Sequence, residues 1–215
     1  MVQPTAEIRA ERRRLRALRL GLPRGDRIAA ESAIVAALNR LHIFRRGRRI
    51  AVYLAMPGEV SVAGAITAAL DSGAEIYVPQ VTSRRLRRMR FVRLQRDCRL
   101  RPNASAFGIL EPVAGAVGWL PPPCLDVILV PTVGFDRVGN RLGMGAGFYD
   151  RALRHRRDRA RAWRRPRLVG IAFATQELAN IEPSEWDVAL DLIVTEREII
   201  VPGRGATGRL PEDPS

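Results

Sequence analysis

The feature that most constrains this chain is a short apolar run that passes directly into a glycine-punctuated loop. Residues 125–130, LDVILV, predict a buried parallel strand. Residues 131–153, PTVGFDRVGNRLGMGAGFYDRAL, then lead from that strand into a helix-like pattern. Between them lie Gly139, Gly143, Gly145 and Gly147, with Arg141 and Asp150 at either end of the tight cluster. Glycines at alternate positions remove Cβ atoms, so backbone N–H groups can converge on an anion. A helix start adds unpaired N–H donors and a partial positive charge. Arg141 supplies a positive fork for phosphate oxygens, and Asp150 the hard carboxylate oxygens that magnesium prefers. This grouping points to a nucleotide-phosphate site. Composition alone leaves a plainer reading open, because glycine-rich connections are common and an Asp in a first helical turn can serve only the dipole.

Two familiar phosphate loops are excluded. A P-loop needs Gly-Lys-Ser/Thr, and this chain contains no lysine. The dinucleotide fingerprint needs GxGxxG directly after its strand, whereas here the glycines of the cluster follow GxGxG spacing some way beyond Val130.

The stretch FDRVGNRLGMGAGFYDRAL resembles the signature of the 5-formyltetrahydrofolate cyclo-ligase (methenyltetrahydrofolate synthetase) family, roughly F-D-x-x-G-x-R-L-G-x-G-x-G-Y-Y-D-R-x-L. Phe148 stands where that pattern has its first tyrosine. IAVYLAMPGEV, FGILEP, GIAFATQ and the Asp187 region follow the family's order, so the resemblance spans most of residues 5–199.

The rest of the chain bounds what such a protein can be. Its 215 residues, 47% hydrophobic, suit one sizeable α/β domain over residues 1–202, with a disordered tail at 203–215. No apolar run approaches the roughly 20 residues of a membrane span. The N-terminus lacks the apolar core of a secretory signal. Cys98 and Cys124 have no metal or redox spacing and read as thiols of a reducing cytoplasm. A net charge of +14 ordinarily suggests nucleic acid. Yet every Lys/Arg position is arginine, and the basic clusters at 9–27, 84–101 and 151–167 fall on different predicted elements. The middle cluster contains only Phe91 as an aromatic, whereas single-strand binders need stacking platforms. A solvated arginine-rich exterior is therefore expected rather than a nucleic-acid face, and that exterior can still steer acidic substrates.

Helices are expected at 6–20 and 26–42, the second with Ile28, Ser32, Val35 and Leu38 near one stripe. A strand at 50–55, a helix at 60–70 closed by Gly73 and a strand at 75–81 predict a parallel crossover. Further strands are expected at 89–94, 125–130, 168–173 and 190–195, with a rigid turn at 107–112 and a helix at 148–157. The fold class is α/β, a single three-layer domain with a mainly parallel, Rossmann-like open sheet.

The resemblance implies residue roles. Glu59 and Leu54 match folate-contacting positions; without it, Glu59 reads as a helix-start glutamate and Leu54 as core. Phe107 matches an aromatic lining the folate site. Met144, Gly145, Ala146, Gly147 and Phe148 match the stretch that touches both substrates, and Leu142, Gly143 and Tyr149 complete the ATP loop. Arg141 and Tyr149 are the implied catalytic residues, and Asp150 with Asp187 the implied magnesium carboxylates. Asp191 is the neighbour with which Asp187 could be confused, and Trp186 replaces the family's usual histidine. A basic pair on the first helix is implied to reach the ATP phosphates. One register places Arg9 there with Thr5 at the lysine position, and another uses Arg12 and Arg16; Arg9 is favoured, with Arg12 as compensating charge.

The implied activity is conversion of 5-formyltetrahydrofolate to 5,10-methenyltetrahydrofolate, with ATP as co-substrate and magnesium as cofactor. The expected protein is a cytoplasmic monomer without nucleic-acid or membrane partners. Two other readings stay open: a basic nucleic-acid-binding protein, and a homologue with the ATP loop intact but its substrate changed or lost. Phe148, Trp186 and Thr5 motivate the second.

Overall fold

The computed structural model describes residues 5–103, 109–113, 118–158 and 165–203. Helix α1 (Ala6–Leu20) opens with Thr5 as its cap, whose hydroxyl oxygen accepts the Ile8 N–H at 3.3 Å. Helix α2 (Arg24–Arg40) follows a three-residue break, Gly21 to Pro23. Its buried face matches the expected stripe only in part. Leu38 is buried as expected, but Ile28 is 53% exposed, and Ile34 and Ala37 join Leu38 on the inner face. Residues 32–38 carry small or apolar side chains all round the helix, so periodicity could not select a face; packing did. Arg27 lies on that inner face, its guanidinium 5.3 Å from the Phe173 ring centre.

Strand β1 (Arg49–Ala51) is shorter than expected, although the chain stays buried through Tyr53. Helix α3 (Ala63–Asp71), a turn at Gly73 with φ +79°, and strand β2 (Glu75–Ser83) complete the expected crossover, since β1 and β2 pair in parallel. Strand β3 (Arg88–Arg93) returns antiparallel to β2. The expected rigid turn at 107–112 is instead partly a strand. β4 (Leu100–Asn103) and β5 (Ile109–Pro112) pair antiparallel, and Phe107 lies outside the described residues. Glu111 explains this departure. Its buried carboxylate accepts the Val81 N–H and the Asn103 Nδ2–H, both at 2.9 Å, tying the β4–β5 ribbon to β2.

After β6 (Trp119–Leu120) and a 3-10 turn at Pro122–Cys124 comes β7 (Val127–Pro131), then the short β8 (Gly134–Phe135) and β9 (Arg141–Leu142). The expected helix at 148–157 is two helices, α4 (Phe148–Ala152) and α5 (His155–Asp158). The break buries Leu153 and lets Arg156 pair with Asp191 at 2.6 Å and Arg157 reach the Glu185 carbonyl at 3.0 Å. Strand β10 (Arg167–Ile171), β11 (Leu192–Val194) and the antiparallel β12 (Ile199–Ile200) finish the sheet.

The eight-stranded sheet runs β12-β11-β10-β7-β1-β2-β3-β6, parallel from β11 through β2. Alternation along the strands assigns residues to two cores. Ile50, Ile76, Val127, Leu129, Val169 and Val194 face α2 and α3, whereas Ala51, Tyr77, Ile128, Val130, Leu168 and Ile193 face Leu153, Val188 and Leu190. Among the described residues the second face carries only short helices and loops. Its layer is thin, and the expected α/β class with a mainly parallel sheet holds.

The strand order places the site. From β1 the chain moves outward to β2 on one side and later to β7, β10 and β11 on the other. The reversal therefore falls between β1 and β7, where open α/β sheets form a crevice beyond their carboxyl ends. Residues 52–59 leave β1 there, and the glycine loop leaves β7 there. Among the described residues no helix is long and apolar enough to cross a membrane.

Candidate active site

The glycine motif divides into two halves with different work. Its first half is a structural knot around Asp136, which is 1% exposed. Oδ1 accepts the Val138 and Asn140 N–H groups at 3.1 and 2.8 Å, and Oδ2 accepts Asn140 Nδ2–H and the Ile181 N–H at 2.9 and 3.0 Å. Gly139 has φ +96°, and a Cβ there would stand 2.8 Å from the Leu190 carbonyl oxygen. Only glycine fits that turn.

The second half is open to ligands. Gly143 has no neighbour near the place of a Cβ, and Gly145 and Gly147 adopt φ +90° and +69°. Arginines flank this loop from two elements. Arg12 of α1 donates from Nε to the Gly143 carbonyl at 2.8 Å, and a Cβ on Gly145 would stand 3.3 Å from its Nη1. Arg87, in the turn between β2 and β3, would lie 3.5 Å from a Cβ on Gly147. Arg84, Arg87, Ala146 and Phe148 line a shallow cleft of about 190 Å³. Met144 is exposed at the loop's tip. The five-residue α4 offers a weaker dipole than the longer helix expected.

Arg12 reaches the loop because α1 docks by Leu15, which is fully buried against Val133 and Leu142. Residues 12, 15 and 19 share one helical face. Arg9 is on the exposed side, so the structure brings Arg12, and not Arg9, against the glycines. Burial lowers the pKa of Arg12, and the nearby Asp187 carboxylate offsets that effect.

Arg141 is buried rather than open. One Nη donates to the Asp150 carboxylate and the other to the Val188 carbonyl. It thereby ties Asp150, at the start of α4, to the segment carrying Asp187. Asp187 itself is exposed, with Oδ2 accepting the Ser184 N–H at 2.8 Å. Asp191 is engaged elsewhere, accepting the Leu168 N–H at 2.8 Å and pairing with Arg156. Among the described residues no three His, Cys, Asp or Glu side chains gather as a metal cage. Trp186 is half exposed, with the Arg157 guanidinium 5.1 Å from its ring centre.

On the β1 side, Glu59 is buried, with Oε2 accepting the Met56 N–H at 3.0 Å. Burial raises its pKa, and the Met56 N–H, Arg19 and Arg16 pull it back. Tyr149 lies within electrostatic reach of Glu59. Its hydroxyl pKa is raised by burial first and by Glu59 second, while Arg141 opposes the shift. Tyr53 is within electrostatic reach of both and donates to the Val60 carbonyl at 2.8 Å. Leu54 is half-buried against the first core.

Sequence reasoning passed over Arg19, Arg84, Arg87, Asp136 and Gln176. Gln176, in GIAFATQ, donates to the Thr132 and Val133 carbonyls, both at 2.8 Å, and fixes the exit from β7. For Arg19 a signal existed, since it lies two helical turns beyond Arg12. For the others the spacing carried none.

The glycine loop and the segment carrying buried Glu59 both leave the sheet at its switch point. Arginines flank the loop, and half-buried Tyr149 lies within electrostatic reach of Glu59. This arrangement defines an open-sheet α/β protein with its candidate site beyond the strand ends. Residues 4–196 match the 5-formyltetrahydrofolate cyclo-ligase family. The 5-formyltetrahydrofolate cyclo-ligase of Haemophilus influenzae is 33% identical over 195 residues, covering 89% of this chain and 98% of that protein. The cyclo-ligase of Mycolicibacterium smegmatis is 31% identical over 189 residues, covering 85% and 90%. The solved structure of Aquifex aeolicus 5,10-methenyltetrahydrofolate synthetase superposes with a TM-score of 0.75 at 28% identity, covering 96% of this chain and 97% of that one. The chain belongs to the 5-formyltetrahydrofolate cyclo-ligase family.

Proposed function

We propose that this protein is an ATP-dependent cyclo-ligase converting 5-formyltetrahydrofolate to 5,10-methenyltetrahydrofolate with release of ADP and phosphate. The observation that carries the reading is the open glycine half-loop held by Arg12, running directly into Tyr149 within electrostatic reach of buried Glu59, in a chain that matches the family over nearly its whole length. The formyl oxygen is a poor leaving group. Its attack on the γ-phosphorus breaks the β–γ P–O bond, ADP departs with that electron pair, and an imidate phosphate remains. N10 then adds to the formyl carbon and loses its proton, and the C–O bond breaks to expel inorganic phosphate. Such chemistry asks for positioning and charge neutralisation more than for a general base.

This chain's residues divide that work. Arg12 and the backbone of Leu142, Gly143, Met144, Gly145, Ala146 and Gly147 hold the triphosphate, Arg141 adds positive charge from beneath the loop while it fixes Asp150, and Arg9 is a more distant charge. Glu59 accepts N–H donors of the pterin, and Phe148, Tyr149, Leu54 and Phe107 bound its ring. Asp150, tied by Arg141 to the segment that carries Asp187, and the exposed Asp187 are the carboxylates that would hold magnesium, whose remaining positions nucleotide oxygens and waters would fill. When bound there, the ion would neutralise charge on the transferring phosphoryl group. Residues 1–202 serve as one catalytic unit, a cytoplasmic monomer. Many arginines are already spent in local pairs, such as Arg14 with Glu11 at 2.5 Å and Arg137 with Glu198 at 2.8 Å, which disfavours a nucleic-acid face.

Incubation with ATP, magnesium and 5-formyltetrahydrofolate tests the reading. The expected result is ATP-dependent growth of the near-ultraviolet absorbance of the methenyl product. No absorbance change, with ATP still bound, would assign the loop to another substrate.

A further inference from the structure

Arg19 occupies a place where a cation is costly. Its side chain is 3% exposed at the end of α1. Nη1 donates to the Thr132 carbonyl at 3.3 Å, Nη2 stands 3.8 Å from Glu59 Oε1, and Nε has no hydrogen-bond partner. A guanidinium offers five donors, and leaving one buried and unmade carries a desolvation penalty. An apolar side chain of similar volume in such a place is often neutral or stabilising. Stability alone therefore does not account for this arginine.

What Arg19 faces does account for it. The groups around the Glu59 carboxylate are Arg19 and Arg16 from α1, Tyr53 from the segment after β1, and Tyr149 from α4. Arg16 is exposed and screened by water, so Arg19 is the one buried cation among them. At 3.8 Å the contact is an ion pair without a hydrogen bond. Arg19 thus supplies charge without using the acceptor. Oε2 is held by the Met56 N–H, while Oε1 keeps its lone pairs for a ligand donor.

We infer that Arg19 is a positioning residue for Glu59, keeping that carboxylate charged within the buried crevice so that Oε1 can accept an N–H from a bound heterocycle. The second half of this statement rests on the reading of Glu59 as a pterin contact given above. Without Arg19, the buried carboxyl would take up a proton as the pH falls and lose its acceptor character. Arg19→Lys restores a charge, though not the fork.

The test separates the two halves. The Glu59 carboxyl is titrated by carbon-13 NMR in ligand-free parent, Arg19→Met and Arg19→Lys proteins, the signal being assigned by its loss in Glu59→Gln. In parallel, the Michaelis constants for 5-formyltetrahydrofolate and ATP are followed between about pH 6 and pH 8, a range around neutrality where a shifted carboxyl would show. The expected result for Arg19→Met is a titration midpoint above the parent's. Its folate constant should rise about tenfold from the alkaline to the acid end, the ATP constant should stay flat, and Arg19→Lys should recover most of the loss. An unchanged midpoint in folded Arg19→Met protein overturns the inference. A raised midpoint with a pH-independent folate constant upholds Arg19's hold on Glu59 and removes Glu59 from the pterin site. Should Arg19→Met not fold, Arg19→Gln is titrated in its place, with the same outcomes.

Discussion

Arg12 Nε donates to the Gly143 carbonyl oxygen at 2.8 Å, joining the first helix to the glycine loop across 131 residues of chain. The bond leaves the remaining N–H donors of Arg12 beside Gly145, so one side chain both shapes the loop and brings charge to it. A hydrogen bond involving a charged group contributes about 1.5–3 kcal/mol. Arg12→Ala should raise the Michaelis constant for ATP about tenfold to a hundredfold, whereas Arg9→Ala, on the exposed face, should change it by less than about threefold. Steady-state kinetics on the two variants decides it. Equal effects would mean that the helix contributes only a diffuse field.

Asp150 is bound to Arg141, so its replacement acts twice. Asp150→Asn should abolish most turnover, with partial recovery at raised magnesium. It should also lower stability by about 1–3 kcal/mol, because buried Arg141 loses its counter-ion. Denaturant melts and magnesium titrations of activity measure the two effects separately. Lost stability with activity intact at limiting magnesium would make Asp150 a structural partner alone.

Phe148 lies with Ala146 beside Arg84 and Arg87. A missing tyrosine hydroxyl is worth about 0.5–1.5 kcal/mol, while removing the ring forfeits an apolar wall as well. Phe148→Tyr should shift the folate Michaelis constant by less than about tenfold, and Phe148→Ala by more. Parental folate binding in the alanine variant would confine Phe148 to packing the loop.

The arginines of the β2–β3 ribbon should separate by position. Arg84 and Arg87 face the cleft, whereas Arg85, Arg88 and Arg90 are exposed, Arg90 donating to the Gln80 side chain at 2.9 Å. Replacing the first two by glutamine should raise a substrate Michaelis constant about tenfold, the scale of one or two lost charge contacts. Replacing the other three should change turnover little. The same drop in both variants would point to a long-range basic field.

Asp136→Ala should unfold the loop without touching a ligand. Four hydrogen bonds to a buried carboxylate are lost, and about 3–5 kcal/mol of stability with them. For a chain of this size that is roughly 6–20 °C in melting temperature. A melting temperature within a degree or two of the parent's would show that the turn holds by other means.

Much was legible in the sequence. The run at 125–130, the small-residue helix closed by Gly73 and the strands around them follow from apolar content and turn residues within a few positions, and each stands as a strand or helix near its expected place. The glycines of 143–147 announced an open backbone for the same local reason. The tertiary structure alone decided the rest. α2 offered a stripe of Ile28, Ser32, Val35 and Leu38, but the sheet buried Ile34 and Ala37 with Leu38 and left Ile28 outside. Residues 109–112 became a strand because Glu111 found the Val81 amide. The helix after the loop broke so that Arg156 could reach Asp191. Arg12 rather than Arg9 met the loop because Leu15 fixed how α1 rolls onto Val133, and the same roll buried Arg19 beside Glu59. Periodicity and turn chemistry act over one or two turns of backbone. The pairing of residues more than a hundred positions apart depends on which strands lie side by side, and only the packing of the whole sheet settles that.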